Sequence, residues 1–320
     1  MFSAASVNPL DTYMINGYGQ ELLGRLKQLE ECDLSQERYP LIPGRDCAAV
    51  VEAVGGGVHN LTVGDEVIAL AAPHRQGSHA EYLVTDASMC SAWPKNLSAV
   101  QAASLPYVAN TAWSALVTVA RLNPKGGNTS RVLINGGSGG VGTVAIQMLK
   151  AWGVPKIVVT CSEESFELVK SLGAIPVSYK SADVKDQLTE LGPFEVIFDC
   201  VDTDISRWSG KLLGVWRNSV HVTIVSPLMR ETDRHGTIPG LFTTAANYFD
   251  RSLEYFTHGR FFSYAFFLPS SDCMRQISSF AQENKLKPIV ESTYKFEDLP
   301  KAFEKVVQLH GKGKTVIEVA

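Results

Sequence analysis

The chain has 320 residues, of which 45% are hydrophobic, and a net charge of −4 at pH 7. This length allows two domains with ordinary cores, and the slightly acidic balance excludes the basic surface typical of nucleic-acid binding. The longest apolar runs are too short to span a bilayer. Six cysteines lie scattered without any C-x-x-C pair. We therefore expect reduced thiols in an intracellular compartment rather than a disulfide framework.

The first third of the chain predicts a β-rich domain. Short Val- and Ala-rich segments alternate with turns, and we expect strands at 47–54, 63–69 and 78–84. The opening residues, 2–11, read as the end of a strand that runs into a turn. An amphipathic helix is predicted at 21–31, because its leucines share one face.

From residue 99 onward, predicted helices alternate with predicted strands, which is typical of α/β proteins. Residues 226–260 predict only mixed loop and helix, and a last strand is predicted at 315–319. This final segment is a candidate to return to the first domain. We therefore predict a first domain at 1–112, completed by 286–320, and a dinucleotide-binding domain at 113–285.

A glycine-rich loop stands between an apolar strand, 132–134, and an amphipathic helix that begins near Val144. The pattern Gly137-x-Gly139-x-x-Gly142 in this setting predicts a dinucleotide-binding loop. The first glycine allows the turn, the second lets the backbone approach a pyrophosphate, and the third lets helix and strand pack closely. The predicted binding residues are Gly137, Ser138, Gly139, Gly140, Val141 and Gly142. A flexible loop that only needs positive φ is the alternative.

The order of motifs resembles the zinc-independent quinone reductase branch of the medium-chain dehydrogenase/reductase superfamily. The motifs are Val7–Asp11, Pro43–Asp46, Val63–Val67, Gly77–Tyr82 and Gln101–Ser114. The resemblance implies an α/β protein with a GroES-like β-rich catalytic domain, a Rossmann domain built on a doubly wound parallel sheet, and the cofactor between them. Strands that normally precede the position of Ala5 are absent, so we expect the first domain to lack part of its barrel.

The resemblance also predicts that the protein holds no zinc. Zinc dehydrogenases of the superfamily carry a Cys after the first strand and a Gly-His-Glu near the second. Here Asn8 and Gly44-Arg45-Asp46 stand at those places, and they do not supply the ligands of a tetrahedral catalytic zinc. The four-Cys structural lobe is missing as well.

Without a metal to polarise an isolated ketone, the expected acceptor is a conjugated one, such as a quinone or an α,β-unsaturated carbonyl. Tyr18, between Gly17 and Gly19, matches the tyrosine that donates a proton in related enoyl thioester reductases. A phenol there could protonate the developing enolate. The alternative is a turn tyrosine that only packs at the edge of the domain.

NADPH is the expected cofactor. The second strand of the dinucleotide-binding domain ends near Ser162 without the acidic residue that NAD enzymes use for the ribose. Tyr179 and Lys180 match the pair that flanks the 2′-phosphate in related NADPH reductases. Asn110 and Thr111 match the position that lines the nicotinamide, although both residue types also favour helix N-caps.

Two further functions stay open: an enoyl thioester reductase, and an NADPH-binding interaction or regulatory protein with little turnover. The second is favoured by Cys200–Thr203, where quinone reductases tend to carry two glycines. The resemblance further implies a mitochondrial location, a link to ubiquinone metabolism and a reticulon-type protein partner. A homodimer through an edge strand of the Rossmann sheet is common in the superfamily, but the sequence leaves the oligomeric state open.

Overall fold

The computed structural model describes residues 2–35, 37, 39–309 and 311–319. The chain divides into two compact units. The first comprises Met1–Asn110, Pro227–Thr243 and Pro269–Ala320, and the second comprises Thr111–Ser226 and Thr244–Leu268. These bounds differ from those predicted from the sequence, because 227–243 and 269–285 belong to the first unit. The predicted bounds of the functional domains stay a prediction.

The elements are numbered in chain order. The strands are β1 (Phe2–Val7), β2 (Asp46–Val50), β3 (Glu66–Leu70), β4 (Cys90–Ala92), β5 (Arg131–Asn135), β6 (Lys156–Cys161), β7 (Ile175–Ser178), β8 (Val196–Asp199), β9 (Val220–Thr223), β10 (Phe261–Tyr264), β11 (Val290–Lys295) and β12 (Lys314–Glu318). The helices are α1 (Pro9–Ile15), α2 (Gln20–Glu30), α3 (Ala99–Ala103), α4 (Pro106–Trp113), α5 (Gly140–Ala151), α6 (Phe166–Leu172), α7 (Val184–Leu191), α8 (Asp204–Ser209), α9 (Leu228–His235), α10 (Thr237–Thr257), α11 (Ser271–Gln282) and α12 (Leu299–Val307). A π-helical segment, Ser114–Val119, continues α4.

The first unit is organised around a six-stranded sheet with the order β11-β12-β1-β2-β3-β4. Strand β12 pairs antiparallel with β1, which confirms that the final segment returns to the first domain. Small side chains, among them Ala5, Cys47 and Ala69, form a tightly packed cluster in its core. A second cluster joins Val7 and Ile317 to helix α12.

Two local predictions in the first unit are wrong. Residues 78–84 form no strand, because the backbone N–H groups of Ser78 and His79 bond to the loop carbonyls of Gly44 and Pro43 at 3.1 and 2.9 Å. The turn predicted at the end of the opening segment is the start of α1. There Asn8 is the N-cap, and the Asp11 carboxylate accepts its backbone N–H at 2.8 Å.

The second unit contains a six-stranded parallel sheet with the order β10-β9-β8-β5-β6-β7. Its core includes Leu133, Val158, Phe194 and Ile197, as expected for strands buried on both faces. The sheet confirms the predicted α/β class. The strand predicted at 264–267 lies earlier, as β10, and 226–260 contains the helices α9 and α10. Strands β10 and β7 form the two edges, and a dimer through an edge stays a prediction.

No helix in the described part of the chain has both the length and the apolar character needed to span a membrane.

A buried histidine lies among aromatic rings in the second unit. His221 in β9 is fully buried, and its Nδ1 is 2.8 Å from the hydroxyl oxygen of Tyr255 on α10. The Phe262 ring stands edge-on to the imidazole. Burial, aided by the charge of Arg251, lowers the pKa of His221 to about 3. The folded protein therefore holds this imidazole neutral at acid pH values where an unfolded chain would protonate it.

We predict that this histidine weakens the fold in acid. The pKa of His221 in the folded protein lies below the unfolded value of about 6.5. The stability that its neutral form contributes is therefore fully present above pH 6.5 and is lost as the pH falls toward 3. The loss should approach about 1.4 kcal/mol per pH unit within that window. Urea unfolding from pH 7.5 to 4.5 should show a shallower pH dependence for His221→Gln than for wild type. His59→Gln, at an exposed position, is the control, and parallel pH curves for His221→Gln and wild type would contradict the prediction.

Candidate cofactor and substrate sites

The loop between β5 and α5 is shaped by two glycines that leave no room for a side chain. A Cβ added to Gly142 would lie 2.4 Å from the Cα of Gly137. A Cβ added to Gly137 would lie 2.2 Å from Cγ1 of Val159 in the neighbouring strand. Distances this short are steric clashes, so strand, loop and helix can approach this closely only with glycine at both positions.

Gly139 differs from its neighbours, because the protein itself leaves the space beside it open. It has an extended backbone with φ −77° and ψ 178°, which any residue can adopt. The nearest atom to an added Cβ would be the Gly136 carbonyl oxygen, 3.9 Å away. Gly139 is also the N-cap of α5 and offers no side chain to the N–H groups of the first turn. Open space beside uncapped N–H groups fits a pyrophosphate, so these residues suit a dinucleotide.

The carboxyl ends of β5, β6 and β7 bring the predicted ribose-binding residues to the same edge of the sheet. Ser162 follows β6, and its hydroxyl lies 3.3 Å from that of Ser165. Tyr179 follows β7 and donates its backbone N–H to the Cys161 carbonyl at 3.2 Å. The ammonium of Lys180 lies 5.7 Å from the centre of the Tyr179 ring. An exposed cation next to an aromatic ring is therefore held at the strand end where the sequence predicts the 2′-phosphate.

Asn110 and Thr111 lie in the second half of α4, so the alternative that they cap a helix is wrong. Asn110 is fully buried. Its Nδ2 donates to the Pro106 carbonyl at 2.9 Å, and its Oδ1 accepts the Ser270 N–H at 2.8 Å. The amide therefore fixes the start of α11 to α4. Contact of Asn110 or Thr111 with nicotinamide stays a prediction.

The segment that lacks the family's two glycines keeps a glycine-like conformation. Asp202 has φ +49°, in the left-handed region. Its backbone N–H donates to the carboxylate of Asp199 at 3.2 Å, and that carboxylate also accepts from Ser206 at 2.6 Å and Thr223 at 3.0 Å. Aspartate tolerates left-handed backbone better than most residues. The loop after β8 is thus held by a buried carboxylate without needing glycine at 202.

Tyr18 lies in the first unit, in a tight connection between α1 and α2. Gly17 and Gly19 on either side have φ of +90° and +73°, values that favour glycine. The Tyr18 N–H bonds to the Tyr13 carbonyl at 3.1 Å, and the two rings lie 5.9 Å apart. Tyr18 lines a surface cavity of about 410 Å³. We call it the Tyr18 cavity; its lining residues are Tyr13, Asn16, Gly17, Tyr18, Arg230, Asp233 and Arg234.

Helix α9 supplies a wall of this cavity that sequence reasoning missed. Asp233 accepts the backbone N–H groups of Gly19 at 2.6 Å and Glu21 at 3.0 Å, so it caps α2 from another part of the chain. Burial raises the pKa of the Tyr18 phenol, Asp233 adds to the rise, and Arg230 opposes it. Tyr18 is therefore a neutral phenol at pH 7. The sequence feature that could have indicated this wall is the i, i+4 spacing of Arg230 and Arg234, which places both on one face of a helix.

A buried polar group lies where the superfamily's zinc enzymes place their ligands. Asp46 accepts hydrogen bonds from the Ser6 hydroxyl, from Nδ2 of Asn8 at 3.0 Å and from the backbone N–H of Tyr107 at 2.9 Å. The Asn8 amide oxygen accepts from the Lys314 ammonium. Asn8 thus bridges a buried anion and a buried cation. Burial raises the pKa of Asp46, and Lys314 opposes that rise.

Arg45 has a structural role beside this group. Its guanidinium is fully buried, lies 3.5 Å from the Asp11 carboxylate and donates to the Ala72 carbonyl at 2.7 Å. His79 is also buried, and its Nε2 lies 3.1 Å from the Ser6 carbonyl oxygen. Burial lowers the pKa of His79, so the ring is neutral at pH 7. Among the described residues no group of three His, Cys, Asp or Glu side chains could hold a metal ion, and the absence of zinc stays a prediction.

Comparison with known proteins decides the family. A model described as "Alcohol dehydrogenase GroES-like domain" matches residues 1–95, and one described as "Zinc-binding dehydrogenase" matches residues 172–317. The chain is 58% identical over 315 residues to reticulon-4-interacting protein 1, mitochondrial, of Caenorhabditis elegans, which covers 98% of this chain and 86% of that protein. The chain belongs to this family. It is also 41% identical to NAD(P)H oxidoreductase RTN4IP1, mitochondrial, of Homo sapiens over 99% of this chain and 80% of the relative.

Solved structures agree with this membership. The quinone oxidoreductase from Coxiella burnetii superposes with a TM-score of 0.78 at 26% identity, over 100% of this chain and 89% of that one. These findings confirm the predicted superfamily, the oxidoreductase class and the two-part fold. The mitochondrial names of the relatives confirm the predicted location.

We predict that Gly139→Val abolishes dinucleotide binding and leaves the protein folded. The new side chain would enter space that the protein leaves open, and the backbone there is already extended. Binding is measured by calorimetry with NADPH, and folding by the thermal midpoint. Gly57→Val is the matched control, because its Cβ also meets no atom within 4 Å but lies outside the loop. Retained NADPH affinity in a folded Gly139→Val protein would refute this assignment.

Proposed function

We propose that this chain is an NADPH-dependent, zinc-independent oxidoreductase that transfers a hydride to a quinone or another conjugated carbonyl. The observation that carries the proposal is the open space beside Gly139 at the uncapped start of α5. Bound NADPH would supply the hydride. The printed name of the human relative, NAD(P)H oxidoreductase, and the likeness to a quinone oxidoreductase support the proposal.

The residues after β6 and β7 favour NADPH over NADH. Ser162 places an uncharged hydroxyl at the strand end where NAD enzymes carry an acidic side chain. Lys180 is exposed, and its ammonium lies beside the Tyr179 ring. A 2′-phosphate would meet an uncharged hydroxyl at Ser162 and a cation at Lys180, and NADH lacks this phosphate. Glu163 and Glu164, which follow Ser162, are exposed and lie in the next helical turn.

We predict that Lys180→Ala weakens NADPH binding about tenfold and leaves NADH binding almost unchanged. A charge-assisted bond to phosphate contributes about 1.5 kcal/mol or more, and about 1.4 kcal/mol corresponds to a factor of ten. Dissociation constants for both cofactors are measured by fluorescence titration. Lys185→Ala is the matched control, because its ammonium also lies over an aromatic ring, that of Trp208, at 5.9 Å. Equal losses for NADPH and NADH would show that Lys180 does not bind the phosphate.

The buried group around Asn8 supports a reaction without zinc. In this chain the positive charge next to residue 8 is the Lys314 ammonium, and Asp46 is already engaged by three hydrogen-bond donors. Arg45 places a second cation close by. Arg45 is itself paired with the Asp11 carboxylate, and the oxygens of Asp46 are engaged by protein donors, so these carboxylates already have partners that a metal would have to replace. A conjugated acceptor needs less polarisation than a ketone, because its developing charge is delocalised.

Tyr18 is the proposed proton donor for an enoyl acceptor. Hydride addition to the β-carbon of an α,β-unsaturated carbonyl leaves an enolate, which must take one proton. The neutral phenol of Tyr18 lines a cavity large enough for a small acceptor and can donate that proton. A reduced quinone can take its protons from water instead. The two acceptor types should therefore depend differently on this hydroxyl.

We predict that Tyr18→Phe lowers kcat for an enoyl substrate about 100-fold and changes quinone turnover much less. The substitution keeps the ring and removes only the hydroxyl. Both substrates are measured with the same protein preparation, before and after exhaustive chelation, which should leave both activities intact. Tyr13→Phe is the control, because Tyr13 lines the same cavity. Unchanged enoyl turnover in Tyr18→Phe would remove Tyr18 from the mechanism, and loss of activity on chelation would overturn the metal-free reaction.

Two broader roles follow from the relatives rather than from site geometry. The mitochondrial relatives and the quinone oxidoreductase neighbour support a link to ubiquinone metabolism. The printed name of the worm relative supports a reticulon-type protein partner. Tight NADPH binding without turnover of any quinone or enoyl compound would instead favour the interaction or regulatory role.

A further inference from the structure

Helix α9 presents two arginines to the Tyr18 cavity. Arg230 and Arg234 are four residues apart, so they lie on the same helix face, and both side chains line the cavity that Tyr18 lines. Both are exposed. Helix α9 packs against α2. The cavity therefore combines a phenol with two guanidinium groups.

The other charged groups of α9 already have partners. The Asp233 carboxylate accepts the N–H groups of Gly19 and Glu21 at the start of α2. Glu231 forms an ion pair with His235 at 3.6 Å. The ion pairs found among the described residues include none at Arg230 or Arg234. Formally, two cations and one anion line the cavity, which leaves an excess of one positive charge.

Such a cavity suits an acceptor that carries its own negative charge. Guanidinium groups bind the oxygens of carboxylates and phosphates through paired, charge-assisted hydrogen bonds. A neutral quinone or enone offers them no anionic partner. The volume of about 410 Å³ admits a small ring or enoyl group together with a short acidic arm.

We propose that the physiological acceptor is an anionic conjugated carbonyl, whose carboxylate or phosphate is bound by Arg230 and Arg234 while its conjugated group faces Tyr18. This assignment rests on the proposed function and narrows its substrate class. The two arginines are specificity residues and take no part in the chemical step. Their loss should therefore remove the preference for a charged acceptor and spare the reduction of a neutral quinone, which does not need the proton of Tyr18.

A matched pair of quinones tests the preference. 3-(1,4-Naphthoquinon-2-yl)propanoate and its methyl ester differ in charge, and two methylene groups insulate the ring from that difference. We expect the wild-type kcat/KM to favour the acid over the ester at least tenfold, less so at high salt. Arg230→Gln/Arg234→Gln should bring the ratio close to one by lowering turnover of the acid alone. Arg25→Gln, at an exposed position on α2, should behave as wild type.

A second pair identifies the source of the charge. Crotonyl-coenzyme A carries phosphates, whereas the crotonyl thioester of N-acetylcysteamine is neutral. A preference for the coenzyme A thioester that the double variant loses assigns the arginines to a phosphate. A preference confined to the naphthoquinone acid assigns them to a carboxylate. Equal acid-to-ester and thioester ratios in wild type and double variant would overturn the proposal.

Binding without turnover separates this proposal from the proposed function. Calorimetry with the naphthoquinone acid and ester, in the absence of NADPH, should show tighter binding of the acid that the double variant loses. If no acceptor is turned over but this difference holds, the oxidoreductase function fails and the anion site stands. If neutral quinones are reduced and the acid binds no better than the ester, the anion site fails and the oxidoreductase function stands.

Discussion

The buried carboxylate of Asp46 is the constraint on which the first unit depends. Its oxygens accept hydrogen bonds from β1, from the residue that caps α1 and from the backbone of α4. The amide oxygen of Asn8 also accepts a hydrogen bond from the Lys314 ammonium, and Asn8 thereby links Asp46 to β12. Buried charges are costly unless every one is compensated, and removing one partner leaves another uncompensated. The segments that meet at Asp46 are therefore fixed relative to one another by electrostatics as well as by packing.

The cofactor loop could be predicted from the sequence because its constraints are local. Gly137 and Gly142 are only five residues apart, and the clash at Gly142 is with Gly137 itself, whereas the clash at Gly137 is with Val159 in the next strand along the chain. The buried group could not be predicted, because Asn8 and Lys314 are 306 residues apart. Asp46 was recognised only as a missing zinc ligand, because its partners Asn8 and Tyr107 are 38 and 61 residues away in the sequence. Arg45 bonds in the same way to a residue 27 positions away.

The two wrong local predictions in the first unit, for residues 78–84 and for the start of α1, have a common physical cause. Residues 78–84 have the composition of a strand, but the N–H groups of Ser78 and His79 are taken by the loop carbonyls of Gly44 and Pro43 instead of a neighbouring strand. The first residues of α1 have the composition of a turn, yet the Asp11 carboxylate completes a helix cap. In each case an acceptor outside the periodic pattern decides the backbone. Hydrophobic periodicity indicates which side chains are buried, but it does not indicate which acceptors the backbone N–H groups bond to.

The cap that Asp233 provides for α2 limits how the Tyr18 cavity can move. Many enzymes close a mobile lid over the substrate, and such lids have few bonds to the rest of the protein. Helix α9 is not built in that way, because lifting it would expose the N–H groups of Gly19 and Glu21 and leave the start of α2 uncapped. Movement of α9 away from α2 would therefore cost these two hydrogen bonds, and the Tyr18 cavity is open to solvent without such a movement.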